Sequence, residues 1–129
     1  MNILLADDHR YLLEVIRALL EPTFSVVGCV EDGESLVEAA TRLQPDVVVI
    51  DISMPKLNGI DAANRLRESG SSPKVVFLTV HAGHDFVEAA LRTGALAYVS
   101  KFRINSDLLV AIEEALAGRI FVSPLGLAA

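Results

Sequence analysis

The sequence predicts a single α/β domain, in which five strands form a doubly wound parallel sheet covered by helices on both faces. Short apolar runs alternate with longer stretches of helical period, the pattern of repeated strand–helix units. Apolar residues make up 52% of the 129 residues but aromatic residues only 5%, so the core must be aliphatic, as in parallel sheets. A chain of this length is enough for one domain with one sizeable core.

Strands are predicted where apolar residues follow one another without alternation, because a strand inside a parallel sheet is buried on both faces. Helices are predicted between these runs, from apolar residues spaced by three and four. In chain order the strands cover residues 3–6, 24–30, 47–50, 75–78 and 96–99. The helices cover about 12–20, 36–44, 60–67, 86–92 and 106–116, and they end at or near Pro22, Pro45, Gly70, Gly94 and Gly118. Asn105 or Ser106 is the expected cap of the last helix.

Charge and cysteine content narrow the class of protein. The net charge of −6 provides no basic footprint, which argues against nucleic-acid binding by these residues alone. The lone Cys29 cannot form an internal disulfide, the start of the chain has no signal-peptide pattern, and no apolar run reaches membrane-spanning length. These features predict a reducing, cytoplasmic location without a membrane span.

The last residues depart from the helical pattern. Residues 119–129 contain Pro124 and Gly126 and end on an apolar stretch. We therefore expect a domain at 1–118, followed by the beginning of a linker at 119–129 and by sequence beyond it.

Five polar residues end or follow the predicted strands, at positions that a parallel sheet brings to one edge. They are Asp7, Asp8, Asp51, Thr79 and Lys101. In an open α/β sheet this edge, at the carboxyl ends of the strands, is where ligands bind. Taken singly, each Asp could be a helix cap or turn residue, Thr79 a strand-end residue and Lys101 a solvated loop charge. Their joint placement favours a functional site.

The residue types indicate phosphoryl chemistry. Three close carboxylates repel one another unless a cation offsets their charge, and Mg²⁺ suits a few carboxylates with open positions for phosphate oxygens. Asp51 is the best-placed nucleophile, since a carboxylate can form an acyl phosphate and the adjacent Asp7 and Asp8 suit the metal. Lys101 and the Thr79 hydroxyl could contact further phosphoryl oxygens.

The same residues resemble the receiver domains of two-component response regulators over residues 1–118. The resemblance rests on Ala-Asp-Asp-His at 6–9, Asp-Ile-Ser-Met-Pro at 51–55 with Asn-Gly at 58–59, Leu-Thr at 78–79, Gly-Ala at 94–95, and Tyr98 with Lys101. It implies a flavodoxin-like (βα)5 fold with strand order 2-1-3-4-5. Phe102 stands where such domains commonly carry a proline, and Val80 is bulkier than the usual residue after the threonine, which predicts narrower access to Asp51.

The resemblance also implies roles for individual residues. Asp51 would be phosphorylated by a sensor histidine kinase, while Asp7, Asp8, Asp51 and the backbone carbonyl of Ser53 hold Mg²⁺. Thr79 and Lys101 would contact the phosphoryl group, and Tyr98 would turn inward as Thr79 moves. Ser53 and His81, each two residues past a site residue, would tune how fast water attacks the phosphate.

At the level of the whole protein, the resemblance implies a signalling switch and not an enzyme with its own substrate. The sequence at 79–81 and at 117–124 looks like the branch whose receivers precede a helix-turn-helix DNA-binding domain. We therefore expect transcription regulation through an output domain outside these residues, and a homodimer formed on phosphorylation. The histidines His9, His81 and His84 are interpreted as surface or site-rim residues, since they lack metal-ligand spacing.

Two alternatives remain open. A phosphorylation-independent interaction domain would keep the fold without the chemistry, although the complete set of acids with Thr79 and Lys101 argues against it. A small-molecule phosphotransferase is disfavoured, because no second Asp lies two residues after Asp51 and little sequence remains for a substrate cap.

Overall fold

A sheet of six parallel strands forms the centre of the computed structural model, which describes residues 1–81 and 83–124. The strand order is β2-β1-β3-β4-β5-β6, which confirms the predicted order and adds one strand at the β5 edge. The strands are β1 (Asn2–Ala6), β2 (Ser25–Val30), β3 (Val47–Asp51), β4 (Lys74–Thr79), β5 (Ala97–Ser100) and β6 (Phe121–Val122).

Helices cover both faces of this sheet. They are α1 (Arg10–Leu20), α2 (Gly33–Leu43), α3 (Gly59–Glu68), α4 (His84–Arg92) and α5 (Ile104–Leu116), with a 3-10 turn at Lys101–Arg103. One hydrophobic cluster joins α1 and α5 to one face, and a second joins α2, α3 and α4 to the other. Every residue of β3 is buried, which explains why its sequence shows no alternation. Helix α4 is the least anchored of the five, because only Ala90 of its described side chains is buried.

Two helices begin at side-chain caps, and α5 does not. Asp32 accepts a hydrogen bond from the Ser35 amide and Asn58 from the Asp61 amide. The predicted cap of α5 is wrong, since the helix begins at Ile104 directly after the 3-10 turn. Its first helical residues therefore continue a turn that is already formed, and no side-chain cap is needed to start it.

The sixth strand comes from the segment that was predicted to begin a linker. Phe121 and Val122 pair with Ala97 and Tyr98 of β5. The run Ile-Phe-Val at 120–122 supplies β-forming residues, and the edge of β5 supplies unpaired backbone groups. Pro124, which has no N–H to donate, follows two residues after Val122. Residues 125–129 lie outside the described part, so the linker remains a prediction.

Among the described residues, no helix is both long enough and apolar enough to cross a lipid bilayer.

Candidate functional site

Four of the five strand-end residues lie largely out of solvent at the carboxyl edge of the sheet, where Lys101 contacts Asp7 and Asp51. Asp51 is the last residue of β3 and Thr79 the last of β4, while Asp7 follows β1 and Lys101 follows β5. Asp7, Asp51 and Thr79 are each less than 5% exposed. Asp8 lies beside them with its side chain 37% exposed, toward solvent. The shared edge follows from the predicted sheet, because parallel strands all end on the same side.

Lys101 bridges the two buried carboxylates. Its Nζ lies 2.8 Å from Asp7 Oδ2 and 3.3 Å from Asp51 Oδ2. Its side chain is only 13% exposed, so this ammonium offsets part of the negative charge away from bulk water. The Ser53 amide donates to Asp51 Oδ1 at 3.2 Å, which leaves each oxygen of Asp51 with a positive neighbour.

The pKa values of Asp51 and Lys101 follow from burial and from the neighbouring charges. Burial, followed by the Asp7 carboxylate, raises the pKa of Asp51 above its ordinary range, although Lys101 and the Ser53 amide oppose this. Burial alone would lower the pKa of Lys101, but contact with Asp7 and Asp51 outweighs it and the net pKa is raised. Lys101 thus stays charged at neutral pH, while burial destabilises the ionised form of the neighbouring Asp51 carboxylate.

The acids around Asp7 form a set that could hold a divalent cation. Asp7, Asp8, His9 and Asp51 each offer one ligand atom, and these atoms all lie within 4.8 Å of one another. The buried Asp7 Oδ2 has no aligned hydrogen-bond donor among the described residues; its contact with Lys101 is one of charge. Three carboxylates, with Lys101 as the cation in contact with two of them, fit a hard ion such as Mg²⁺.

His9 contacts two of the acids, although the sequence predicted only a surface or site-rim position for it. Its Nδ1 lies 3.1 Å from Asp7 Oδ1 and 3.2 Å from Asp8 Oδ1, while most of its side chain is exposed. The position directly after the two aspartates was the only available signal. That position alone could not say whether the ring turns toward the acids or toward water.

Ser53 and His81 contact each other next to Asp51, whose carboxylate accepts from the Ser53 amide. Ser53 Oγ lies 3.1 Å from His81 Nε2, and the His81 ring stacks on Phe86 with centroids 4.1 Å apart. The two residues predicted to tune the reaction rate therefore contact each other, and α4 supports one of them through Phe86. The Phe86 contact could not be predicted from the sequence, because it depends on how α4 packs.

Thr79 is connected to Tyr98 through the backbone of His81. The His81 amide donates to Thr79 Oγ1 at 3.0 Å, and the Tyr98 hydroxyl donates to the His81 carbonyl at 2.8 Å. Tyr98 is fully buried, so its ring points inward. Burial also raises the pKa of its hydroxyl, which stays protonated as a donor.

The two departures from the family pattern lie on the rim. Phe102 is 84% exposed, and the Lys101–Phe102 peptide is trans like every other peptide bond of the described residues. Val80 is 56% exposed. The narrower access to Asp51 predicted from Val80 remains a prediction.

Comparison with known proteins agrees with this geometry. Residues 3–113 match the family described as the response regulator receiver domain. The chain is 35% identical over 96% of its length to the transcriptional regulatory protein DegU of Brevibacillus brevis. It is 37% identical over 95% of its length to the nitrate/nitrite response regulator protein NarL of Escherichia coli K12. It spans 53% and 57% of these two relatives.

A solved structure supports the same fold. The crystal structure of a LuxR-family two-component response regulator from Aurantimonas sp. SI85-9A1 superposes with a TM-score of 0.91 at 34% identity. The match covers 95% of this chain and 89% of that one.

Proposed function

This chain belongs to the response regulator receiver domain family, and from that premise we propose that Asp51 accepts a phosphoryl group from a sensor histidine kinase. The observation that carries the proposal is the buried Asp51 carboxylate between the Lys101 ammonium and the Ser53 amide. A receiver domain of a two-component system acts mainly as a signalling module. Here the reaction would be limited to its own phosphorylation and dephosphorylation.

The proposed transfer needs a carboxylate oxygen that is accessible and ionised. An oxygen of Asp51 forms a bond to phosphorus while the bond from phosphorus to the donor's imidazole nitrogen breaks, and the imidazole leaves and takes up a proton. Lys101 lies close enough to Asp51 Oδ2 to move onto a phosphoryl oxygen once the group is attached. Thr79 would contact another phosphoryl oxygen through its hydroxyl.

Asp7, Asp8, Asp51 and the backbone carbonyl of Ser53 are the proposed ligands of Mg²⁺. When bound, the ion supplies positive charge to the phosphoryl oxygens during transfer. The support from this chain is the cluster of carboxylates, whose ligand atoms lie within 4.8 Å of one another.

The proposed switch runs from Thr79 to Tyr98. Movement of Thr79 toward the phosphate would break its contact with the His81 amide, and the His81 carbonyl is the acceptor that holds the Tyr98 hydroxyl. Tyr98 would then repack. The surface formed by α4, β5 and α5 would change with it.

Ser53 and His81 are the proposed residues that set the lifetime of the phosphate. The support is their mutual contact beside Asp51, since the Ser53 amide bonds the Asp51 carboxylate and an attacking water would have to approach that carboxylate. Either side chain can orient or exclude that water, depending on whether the contact survives phosphorylation.

The output of the switch is proposed to be transcription regulation in the cytoplasm. The two curated relatives are a transcriptional regulatory protein and a nitrate/nitrite response regulator, both longer than this chain. Phosphorylation would promote a homodimer, and DNA would be bound by a C-terminal helix-turn-helix domain that follows a linker beyond β6.

Intact mass spectrometry after incubation with acetyl phosphate tests the proposal. We expect one phosphoryl adduct that requires Mg²⁺, is acid-labile and is absent from Asp51→Asn. Asp85→Asn, which removes an exposed acid of α4, is the matched control and should label like the wild type. Full labelling of Asp51→Asn would move the nucleophile elsewhere. A folded wild type that stays unlabelled would favour the phosphorylation-independent interaction domain.

A further inference from the structure

Ser123, just after β6, is buried although it lies close to the end of the described chain. It is 2% exposed, whereas Ile120 and Pro124 on either side of the strand are exposed. A buried serine needs partners for both its hydroxyl and its backbone. Those partners connect this tail segment, residues 119–124, to the site.

The Ser123 hydroxyl joins α5 to β5. Its Oγ donates to Asp107 Oδ2 at 2.7 Å and accepts from the Ser100 amide at 3.1 Å. Its own amide donates to the Tyr98 carbonyl at 2.9 Å. Three bonds at one residue therefore fix the tail to β5 and to the first turn of α5.

Asp107 holds this hydroxyl in place. Its carboxylate is 5% exposed and accepts from Arg103 Nε at 2.8 Å and from Ser106 Oγ at 3.0 Å. The Ser123 bond uses Oδ2, and the Ser106 bond uses Oδ1. The two serines thus share one carboxylate, but only Ser123 reaches β5.

Ser100 connects the tail segment to the proposed phosphoryl site. It directly precedes Lys101, and its own hydroxyl accepts from the Phe102 amide at 3.1 Å, which starts the 3-10 turn. It also lies opposite Thr79 in the register of β4 and β5. A constraint on the Ser100 amide therefore acts on the backbone from which the Lys101 side chain projects.

We propose that Ser123 is a positioning residue for Lys101, and that docking of the tail segment and occupation of Asp51 favour each other. This rests on the proposed function of Asp51 as the phosphoacceptor. Because the 3-10 turn that carries Lys101 is already fixed, the lysine can contact a phosphoryl oxygen without a further loss of conformational entropy. By reciprocity, a ligand that fixes Lys101 from the site side must hold the tail more firmly. Occupation of Asp51 would then change how firmly the tail segment is held against β5 and α5.

Binding of beryllofluoride with saturating Mg²⁺ to the full chain, followed by NMR titration, measures this coupling. Ser123→Ala should weaken binding by roughly three- to tenfold, the scale of one hydrogen bond. Ser106→Ala removes the other serine on Asp107 and should stay within about twofold of the wild type on the same scale. A general loss of stability would not produce this difference, because affinity is measured on the folded protein.

Hydrogen exchange of the wild type provides a second measurement that needs no variant. Formation of the beryllofluoride adduct should slow exchange of the Phe121 and Ser123 amides by roughly three- to tenfold, the same scale as the coupling expected above. This readout decides the question even if Ser123→Ala does not fold.

Wild-type affinity in a folded Ser123→Ala, or equal exchange at both amides with and without the adduct, would overturn the proposal. A wild type that binds no beryllofluoride would instead remove the proposed function, and this inference with it. The two failures are therefore distinguishable.

Discussion

Lys101 is the residue on which the charge balance of the site depends. It is the described cation in contact with both buried acids, at 2.8 Å from Asp7 and 3.3 Å from Asp51. A divalent ion bound to those acids must share them with this ammonium. In the proposed site, Lys101 should therefore weaken metal binding, while it would provide a contact for the phosphoryl group.

Replacing Lys101 by methionine should tighten Mg²⁺ binding. The change removes a buried positive charge a few ångströms from two carboxylates, and we expect the affinity to rise by about tenfold or more. Isothermal titration of the unphosphorylated protein measures it. Lys56→Met, at an exposed lysine 3.9 Å from Asp32, should change the affinity little. Unchanged or weaker binding in Lys101→Met would show that the lysine does not compete with the metal.

Asp51→Asn should raise the melting temperature at pH 7 in the absence of metal. Because the folded pKa of Asp51 is raised above the ordinary value of 3.8, stability is lost as pH rises from that value through the folded pKa. Asparagine avoids this loss, so the gain should shrink as the pH is lowered toward 3.8. Thermal unfolding between pH 4 and 7 tests this, with Asp85→Asn as the control. A gain that is independent of pH would require another cause.

At the scale of single elements, Gly59 shows how closely α3 packs against the strand that carries Asp51. A Cβ at this position would meet the Asp51 carbonyl oxygen and would lie 2.8 Å from Ile50 Cγ2. The start of α3 and the end of β3 can therefore approach only through a glycine. The Asn-Gly pair noted in the sequence is thus a requirement of packing as well as a family feature.

Gly59→Ala should destabilise the domain by about 1–3 kcal/mol, because the backbone must shift to admit the methyl group. The free energy of unfolding in urea measures this. Gly83→Ala is the matched control, since the nearest atom to a Cβ there is Phe86 Cδ2 at 3.8 Å. Equal stability of the two variants would contradict the packing argument.

Asp107 stabilises α5 in a pH-dependent way. Burial opposes its ionised form, but Arg103, Ser123 and Ser106 outweigh it and lower the folded pKa below 3.8. Its contribution is therefore present above pH 3.8 and is lost as pH falls through the folded pKa. Asp107→Asn should cost stability at pH 7, and the difference from the wild type should narrow near pH 3. Urea unfolding at both pH values measures it, and a constant difference would exclude the ionic contribution.

Two strands and one contact show how much of the fold and of the site could be predicted from the sequence. Strand β3 and its terminal Asp51 were predictable, because a wholly buried strand leaves an unbroken apolar run that ends at a polar residue. Strand β6 was not predicted, because two residues close to a proline look like part of a linker. Only the structure shows that the edge of β5 is free to pair with them. The Ser53–His81 contact was likewise beyond the sequence, which placed each residue near the site but could not pair them.

At the scale of the whole molecule, the sheet separates two hydrophobic clusters, while the acids lie at an edge common to both. A ligand bound at that edge contacts residues that follow β1, β3, β4 and β5 at once. Binding should therefore stabilise the entire domain and not one half of it.

Beryllofluoride with Mg²⁺ should raise the unfolding free energy by about 2.7 kcal/mol at a concentration one hundred times its dissociation constant. Thermal unfolding should show a single shifted transition, because both clusters share the stabilised strands. Chelation of the metal should reverse the shift, and Asp51→Asn should show none. Two separate transitions would mean that the clusters unfold independently.

The uneven anchoring of the helices has an evolutionary consequence. Strand β3 is buried throughout, so almost any change there disturbs both clusters, whereas α4 buries only Ala90 fully and exposes His84, Asp85, Glu88 and Arg92. Substitutions on that outer surface cost little folding stability. Duplicated copies of such a gene can therefore diverge in α4 and acquire separate partners while each retains the same acidic site.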